Sequence, residues 1–182
     1  MPSFRLETQR LLLRPPEAGD IAAIVTGIGD YDVAKNLSRA PHPYGEKDAI
    51  EFLARQREGQ ARGTDFTFAV IRKSDGAFAG KCGLHLQEQN FELGYWYARP
   101  YWGQGYATEA ASEVVAFAFR NLRVERLEAG WFFDNPASGR VLEKLGFSPA
   151  GSGERDCAAR GCKVLCRQVA MTRAQFGQRV AA

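Results

Sequence analysis

No stretch of this chain is apolar for long enough to cross a membrane, and the opening residues, MPSFRLETQRLLLRPPEAGD, lack the apolar core of a signal peptide. Charge of one sign is also scarce. The net charge is +3, and no block of five or more basic residues occurs, which argues against a nucleic-acid partner. Cysteine is limited to Cys82, Cys157, Cys162 and Cys166, with no CxxC pair, and the two histidines, His42 and His85, lie far from the CAARGCKVLC cluster. Tetrahedral zinc normally draws on tighter ligand pairs, so reduced thiols and no bound metal are expected. Internal repeats, low-complexity tracts and linkers are missing too. These absences leave a cytoplasmic enzyme or binding domain as the expectation, with neither nucleic acid nor membrane as partner.

What is present fits one domain over residues 1–182, with 45% hydrophobic and 25% charged residues allowing a real core. RLLLR (10–14) reads as a strand stopped by Pro15-Pro16. Ile21, Ile24, Val25 and Ile28 mark one face of a short helix. A proline-rich loop (34–45) follows, then a helix from about Glu46 that presents Ile50, Leu53 and Ala54 to the core. From Asp65 the period changes: DFTFAVIR, AFAGKCGLHL and NFELGYWYA read as a meander around the turns KSDG and QEQN. A long helix carries Ala107, Ala110, Ala111, Val114, Val115, Ala118 and Leu122 on one face. RLEAGWFF (126–133) is a further strand. Asn135-Pro136 opens a helix through Leu142 and Leu145 that ends at Gly146, and CKVLCRQVAMT (162–172) is the last strand. The order β-α-α-β-β-β-α-β-α-β predicts an α+β or three-layer fold with a mixed sheet.

The junction ARPYWGQGYATEA (98–110) is the most informative stretch. An aromatic strand runs through Gly103 and Gly105 into the long helix, yet no Ser, Thr, Asp or Asn stands just before Ala107 to cap it. A helix start carries unpaired N–H groups and about half a positive charge, and glycines let a ligand approach the main chain. A diphosphate or other anion suits such a place; a tight turn that simply needs glycine is the alternative. A P-loop is excluded because no Gly-Lys-Ser/Thr follows, and a Rossmann turn because Thr108 stands where a third Gly or Ala belongs.

These residues resemble the acetyl-CoA loop of the GNAT superfamily of N-acetyltransferases, R/Q-x-x-G-x-G/A, which falls on Trp102-Gly103-Gln104-Gly105-Tyr106-Ala107, with Trp102 at the usual Arg/Gln position. GYWYARPYWGQGYATEA together with DNPASGRVLEKLGF is similar to the branch of ribosomal-protein N-terminal acetyltransferases (RimJ/RimL-like), and TQRLLLR and PHPYGEKDAIEFL also fit that branch. The resemblance covers about residues 6 to 176. It implies a splayed, mostly antiparallel sheet flanked by helices. Acetyl-CoA would enter between strands 91–98 and 126–133, with pantetheine along Tyr95, Trp96 and Tyr97. Pyrophosphate would lie on the N–H groups of Gly103, Gln104, Gly105, Tyr106, Ala107 and Thr108. Asn135 and Ser138 match the family's Asn-x-x-Ser/Ala positions beside the cofactor.

Acetyl transfer needs a neutral amine, a polarised carbonyl and a proton for the departing thiolate. Glu92, on the strand leading to the loop, is the first candidate base and Glu128 the second; an exposed strand glutamate and a partner for Arg126 or Arg123 are the plain alternatives. Leu142 stands where many relatives carry an acidic tyrosine, so Ser138 or a water is left as the acid. Arg140 and Lys144 could meet the 3′-phosphate or could form a solvated helix face. Tyr31, Asn36, His42 and Tyr44 are expected to shape the acceptor pocket. Three functions compete: acetylation of a peptide or protein N-terminus, acetylation of a small amine (polyamine, amino acid or antibiotic), and non-catalytic sensing of acyl-CoA. Monomer and homodimer both remain open.

Overall fold

The computed structural model describes residues 4–181. One eight-stranded sheet runs through them. Its strands are β1 (Leu6–Glu7), β2 (Leu11–Arg14), β3 (Asp65–Arg72), β4 (Phe78–Gln87), β5 (Asn90–Tyr97), β6 (Arg126–Phe132), β7 (Ser148–Cys157) and β8 (Cys162–Thr172), in the spatial order β1-β2-β3-β4-β5-β6-β8-β7. All neighbours are antiparallel except β5 and β6. Helices α1 (Ile21–Gly29), α2 (Tyr31–Ala34) and α3 (Glu46–Arg62) form one set, and α4 (Tyr106–Asn121), α5 (Pro136–Lys144) and α6 (Arg173–Ala181) the other. The three-layer, mostly antiparallel arrangement expected from the sequence is therefore the observed one.

Each face of the sheet has its own core. On one, the alanine and valine stripe of α4 meets Phe68, Leu84, Leu93 and Leu127; Phe117 and Phe119 of the same helix are buried there as well. On the other, Ile24, Ile28, Leu53 and Trp96 bring α1 and α3 onto β5. Period-2 alternation sends Tyr95 and Tyr97 to the first core and Trp96 to the second.

Four details differ from the sequence reading. On α3 the buried positions are Ala49, Leu53 and Gly59, while Ile50 is 50% exposed and Ala54 points to solvent. The start of α3 is set by Asp48, which accepts the Gly45 N–H at 2.8 Å, and Gly59 packs on Asp65, so the inward stripe sits one position off the apolar residues. Second, residues 31–34 form the short helix α2, capped by Asp30 accepting from the Asp32 N–H. Third, β7 was not expected, because SPAGSGERDC has no apolar alternation; it is a largely exposed edge strand defined by its pairing with β8. Fourth, α6 follows the last strand, and its Phe176 stacks on Phe119 at 4.8 Å.

The β4–β5 pair is tight at one point. A Cβ on Gly80 would lie 2.2 Å from the Trp96 carbonyl oxygen, whereas one on Gly94 meets nothing closer than His85 Cδ2 at 3.8 Å. Gly80→Ala is expected to lower stability by about 1–3 kcal/mol, read as a lower urea midpoint at unchanged m-value, with Gly94→Ala close to wild type. Equal midpoints for all three proteins would contradict this packing.

Candidate functional site

The parallel pair β5–β6 is joined only through Phe91–Leu127, Glu92–Glu128 and Leu93–Ala129. Beyond these the strands part. β6 continues along β8 to Phe132, and β5 continues along β4 to Tyr97. The Ala98 N–H donates to Ala79 on the β4 side, so strand alternation turns the main-chain groups of Tyr95 and Tyr97 toward the gap and those of Trp96 toward β4. Trp102 Nε1 donates to the Tyr97 carbonyl at 2.6 Å from that open side. Of the three aromatic residues expected to offer backbone to a ligand, Tyr95 and Tyr97 are oriented to do so and Trp96 is not.

Helix α5 spans the gap. Tyr95 Oη lies 3.1 Å from the Ser138 carbonyl and 2.9 Å from Ser138 Oγ, and a Cβ on Gly139 would lie 2.8 Å from the Trp131 ring of β6. Asn135 caps this helix, its Oδ1 accepting from the Ser138 N–H at 3.3 Å. Burial pushes the Tyr95 hydroxyl well above its ordinary pKa. It therefore stays protonated, a donor beside Ser138. Leu142 is buried in the core, so no hydroxyl comes from that position.

At the end of β5 the chain passes Gly103 (φ 73°) and Gly105 (φ 80°), both left-handed, and enters α4 with no side-chain cap on Gly105. Glu109 N is the first to find a helical acceptor, the Gly105 carbonyl at 3.1 Å. Among the described residues no acceptor meets the N–H groups of Tyr106, Ala107 and Thr108. Arg10 of the N-terminal segment braces the turn: Nη1 donates to the Gln104 carbonyl at 3.0 Å, Nε to Glu109 at 2.7 Å, and the guanidinium lies over the Tyr106 ring. Sequence reasoning missed Arg10, since nothing in RLLLR links it to a loop ninety-odd residues away.

One cavity of about 1910 Å³ connects the uncapped turn with the opposite side of the sheet. That exceeds the ~300–1,000 Å³ of an ordinary small-ligand pocket, room enough for two substrates. Its near end is lined by residues 103 and 105–108, Asn135 and Ser138, with Arg140 and Lys144 exposed at the rim. Its far end is lined by Asn36, Tyr44, α3, Lys81, His85 and Glu92. Burial raises the Tyr44 hydroxyl to about 12, so it too remains a donor. Tyr31 and His42, expected in this wall, do not line the cavity; they stack edge-on at 5.2 Å on the outside, because α2 turns Tyr31 outward.

Glu92 lies inside the cavity, mostly buried, in an ion pair with Arg155 of β7. Because β7 was invisible in the sequence, so was this partner. Glu128 accepts from Arg126 Nε at 3.0 Å and from Asn90 at 3.3 Å. Beside Glu92 the sheet carries no side chain where Gly83 and Gly94 oppose each other, and Lys81 and His85 flank that bare floor. Among the described residues no group of three His, Cys, Asp or Glu side chains is positioned for a metal ion. None of the helices there is long and apolar enough to cross a membrane. The four cysteines are unpaired; Cys157 and Cys162 face each other across the β7–β8 hairpin, and burial raises the Cys82 thiol to about 12.

This geometry has counterparts. An acetyltransferase (GNAT) domain model matches residues 10–148. The chain is 30% identical over 152 residues to an uncharacterized N-acetyltransferase of Bacillus licheniformis, covering 80% of this chain and 83% of that protein. It superposes on a GNAT-family acetyltransferase from Bacillus anthracis with a TM-score of 0.81 at 24% identity, covering 94% of this chain and 99% of the other. It also superposes on RimL, a ribosomal alpha-N-protein acetyltransferase solved in complex with coenzyme A, with a TM-score of 0.82 at 15% identity over 93% and 98% of the two chains. The splayed sheet, the uncapped helix and these matches agree, and the chain belongs to the GNAT family of acetyltransferases.

Proposed function

We propose that this protein transfers the acetyl group of acetyl-CoA to the primary amine of a peptide or protein N-terminus. The observation that carries the reading is the parting of β5 and β6 beside an uncapped helix start. It offers an unpaired strand edge to an amide-bearing arm and free N–H donors to a diphosphate, in the right order along one cleft. In this reading the pyrophosphate meets the N–H groups of residues 106–108 and pantetheine pairs with Tyr95 and Tyr97. The Tyr95 N–H points to where a thioester oxygen would gain charge. The Ser138–Tyr95 hydroxyl pair supplies the proton for the thiolate, replacing the donor that Leu142 cannot be. Relatives named N-acetyltransferases support an amine as acceptor.

The acceptor enters from the far end, over Gly94. The carboxylates that α2, α3 and β5 bring there are all engaged: Asp32 with Lys35 and Arg99, Asp48 with the Gly45 N–H, Glu51 with Arg55, Glu92 with Arg155. A multiply charged polyamine needs several free carboxylates to replace its hydration; those of α2, α3 and β5 are engaged, and the others lining the cavity, Glu88, Glu154 and Asp156, stand on the β4–β5 turn and on β7. A single ammonium with peptide groups behind it matches the mixed wall better. Glu92 attracts that ammonium with the part of its charge that Arg155 leaves available.

Gly105→Val should abolish CoA binding in calorimetry while the apo protein still folds, with a lowered melting temperature, since the φ of 80° disfavours a branched side chain and the loop surface leaves a ligand no room beside one. Folded wild-type protein that binds no CoA would end the proposal. Glu92→Gln should lower kcat/KM for the acceptor by ~10-fold or more with CoA affinity unchanged; an unaltered value would remove Glu92 from the acceptor site. In competition assays, peptides with free N-termini should exceed spermidine and aminoglycosides in kcat/KM. A tenfold preference for a small amine would defeat the peptide reading and leave the transferase intact.

A further inference from the structure

The far end of the cavity holds a chain of polar side chains to which neither the fold nor the reading above gives a role. Asp65 of β3 stands behind it, 8% exposed, gripped by three donors. Thr67 Oγ1 donates to it at 2.7 Å, the Gln56 amide of α3 donates at 2.6 Å with its nitrogen turned inward, and His85 Nδ1 contacts the other oxygen. His85 Nε2 in turn lies 2.5 Å from Lys81 Nζ. Lys81 is also 8% exposed, yet among the described residues it has no carboxylate within ion-pair distance; the Phe52 ring lies 5.9 Å away. Both Lys81 and His85 line the cavity, on either side of the bare Gly83–Gly94 floor, and Asp65 does not reach it. A buried lysine whose only polar partner is an imidazole is costly as a fixed cation, so a structural role alone explains it poorly.

We propose that the Lys81–His85–Asp65 chain is the proton acceptor for the substrate ammonium, with Lys81 as the catalytic group facing the amine and His85 and Asp65 as positioning residues. The proposal rests on the acetyltransferase reading and names the base that reading requires. The acceptor arrives as an ammonium. One of its N–H bonds breaks and the proton joins the lone pair of Lys81 Nζ, which remains hydrogen-bonded to His85 Nε2 while Asp65 holds Nδ1–H. The freed amine attacks the thioester carbonyl carbon; the N–C bond forms, the C–S bond breaks, and the thiolate leaves with the electron pair. The Ser138–Tyr95 hydroxyl pair gives a proton to that thiolate and is restored by the second amine proton. Lys81 returns its proton to solvent once the products have gone.

The surroundings agree. Burial depresses the proton affinity of Lys81, and Asp65 opposes that shift. Burial likewise lowers His85, with the positive charge of Lys81 in the same direction and Asp65 against it. The other groups whose charge reaches the chain are Arg39 from the loop after α2, Glu92 of β5, whose charge is shared with Arg155, and the Cys82 thiol on the opposite face of β4.

The test uses the whole protein with acetyl-CoA and a pool of short peptides with free N-termini, read as thiol release across pH, with CoA calorimetry on every variant. Lys81→Met should lose about 100-fold in kcat with CoA affinity and melting temperature near wild type. Lys81→Arg, which keeps the charge but cannot surrender a proton, should be as slow; activity restored by arginine would reduce Lys81 to an electrostatic role and overturn the proposal. In Asp65→Asn the loss of a negative charge weakens proton binding, so the acid limb of the pH–rate profile should move to lower pH. Nitrogen-15 spectra of His85, which need no turnover, should show its midpoint falling in Asp65→Asn and rising in Lys81→Met; a midpoint unmoved in both overturns the relay. An acid limb that vanishes in Glu92→Gln and persists in Lys81→Met assigns the proton to Glu92 instead. Wild-type protein that binds CoA yet acetylates no amine defeats the proposed function and this relay together, whereas a Lys81→Met variant as fast as wild type defeats the relay alone.

Discussion

The parting of β5 and β6 after Leu93 and Ala129 is the constraint on which the rest of this structure depends. Two parallel strands that stay paired would bury their main-chain groups in each other. Separated, they leave the β6-facing edge of Tyr95 and Tyr97 without a partner inside the sheet. Such an edge is normally a hazard, and here α5 bridges the two strands beside it, its first turn meeting Tyr95 from one strand while Gly139 receives Trp131 from the other. Enlarging Gly139 or removing Tyr95 would therefore disturb the width of the opening before any other feature.

The helix start completes the same arrangement. Gly105 holds a left-handed conformation that leaves the first turn of α4 bare, and the turn is positioned from outside by Arg10, which ties Gln104 and Glu109 to the segment before β2. The Arg10–Glu109 pair is partly exposed, so its direct contribution to stability is small. Its value is geometric: it fixes where three N–H groups point. Glu109 also sits in the first turn of α4, where its charge opposes the helix dipole without occupying the free donors.

On the opposite side, Gly94 clears a floor between charged walls, while its partner Gly83 lets Thr67 pack close beneath. The members of those walls come from β4, β5, β7, α3 and the loop after α2, segments separated by most of the chain. Several of the charged groups there are paired, Glu51 with Arg55 and Glu92 with Arg155, whereas buried Lys81 has only an imidazole beside it. The proposed division between recognition by Glu92 and proton transfer by Lys81 draws on that difference: a guanidinium holds Glu92, and no carboxylate holds Lys81 among the described residues.

By itself the sequence determined the strands from 10 to 14 and 65 to 98, the amphipathic face of α4, the capped start of α5 at Asn135 and the uncapped turn at Gly103–Gly105, because each is encoded by local periodicity, turn chemistry or a missing cap. The GNAT relationship was legible in the same segments. Other features were decided only by tertiary structure. β7 has no apolar alternation and exists through its ladder with β8, so Arg155 and its grip on Glu92 could not be foreseen. Arg10 reaches its loop across the sheet, and Tyr31 and His42 left the acceptor wall once α2 formed. Asp65, Lys81 and His85 stand on two strands whose sequences show only where side chains alternate. Whether they touch depends on the β3–β4 register, which places Asp65 opposite His85, and on burial by α3, and both are properties of chain segments brought together by folding rather than of any one segment.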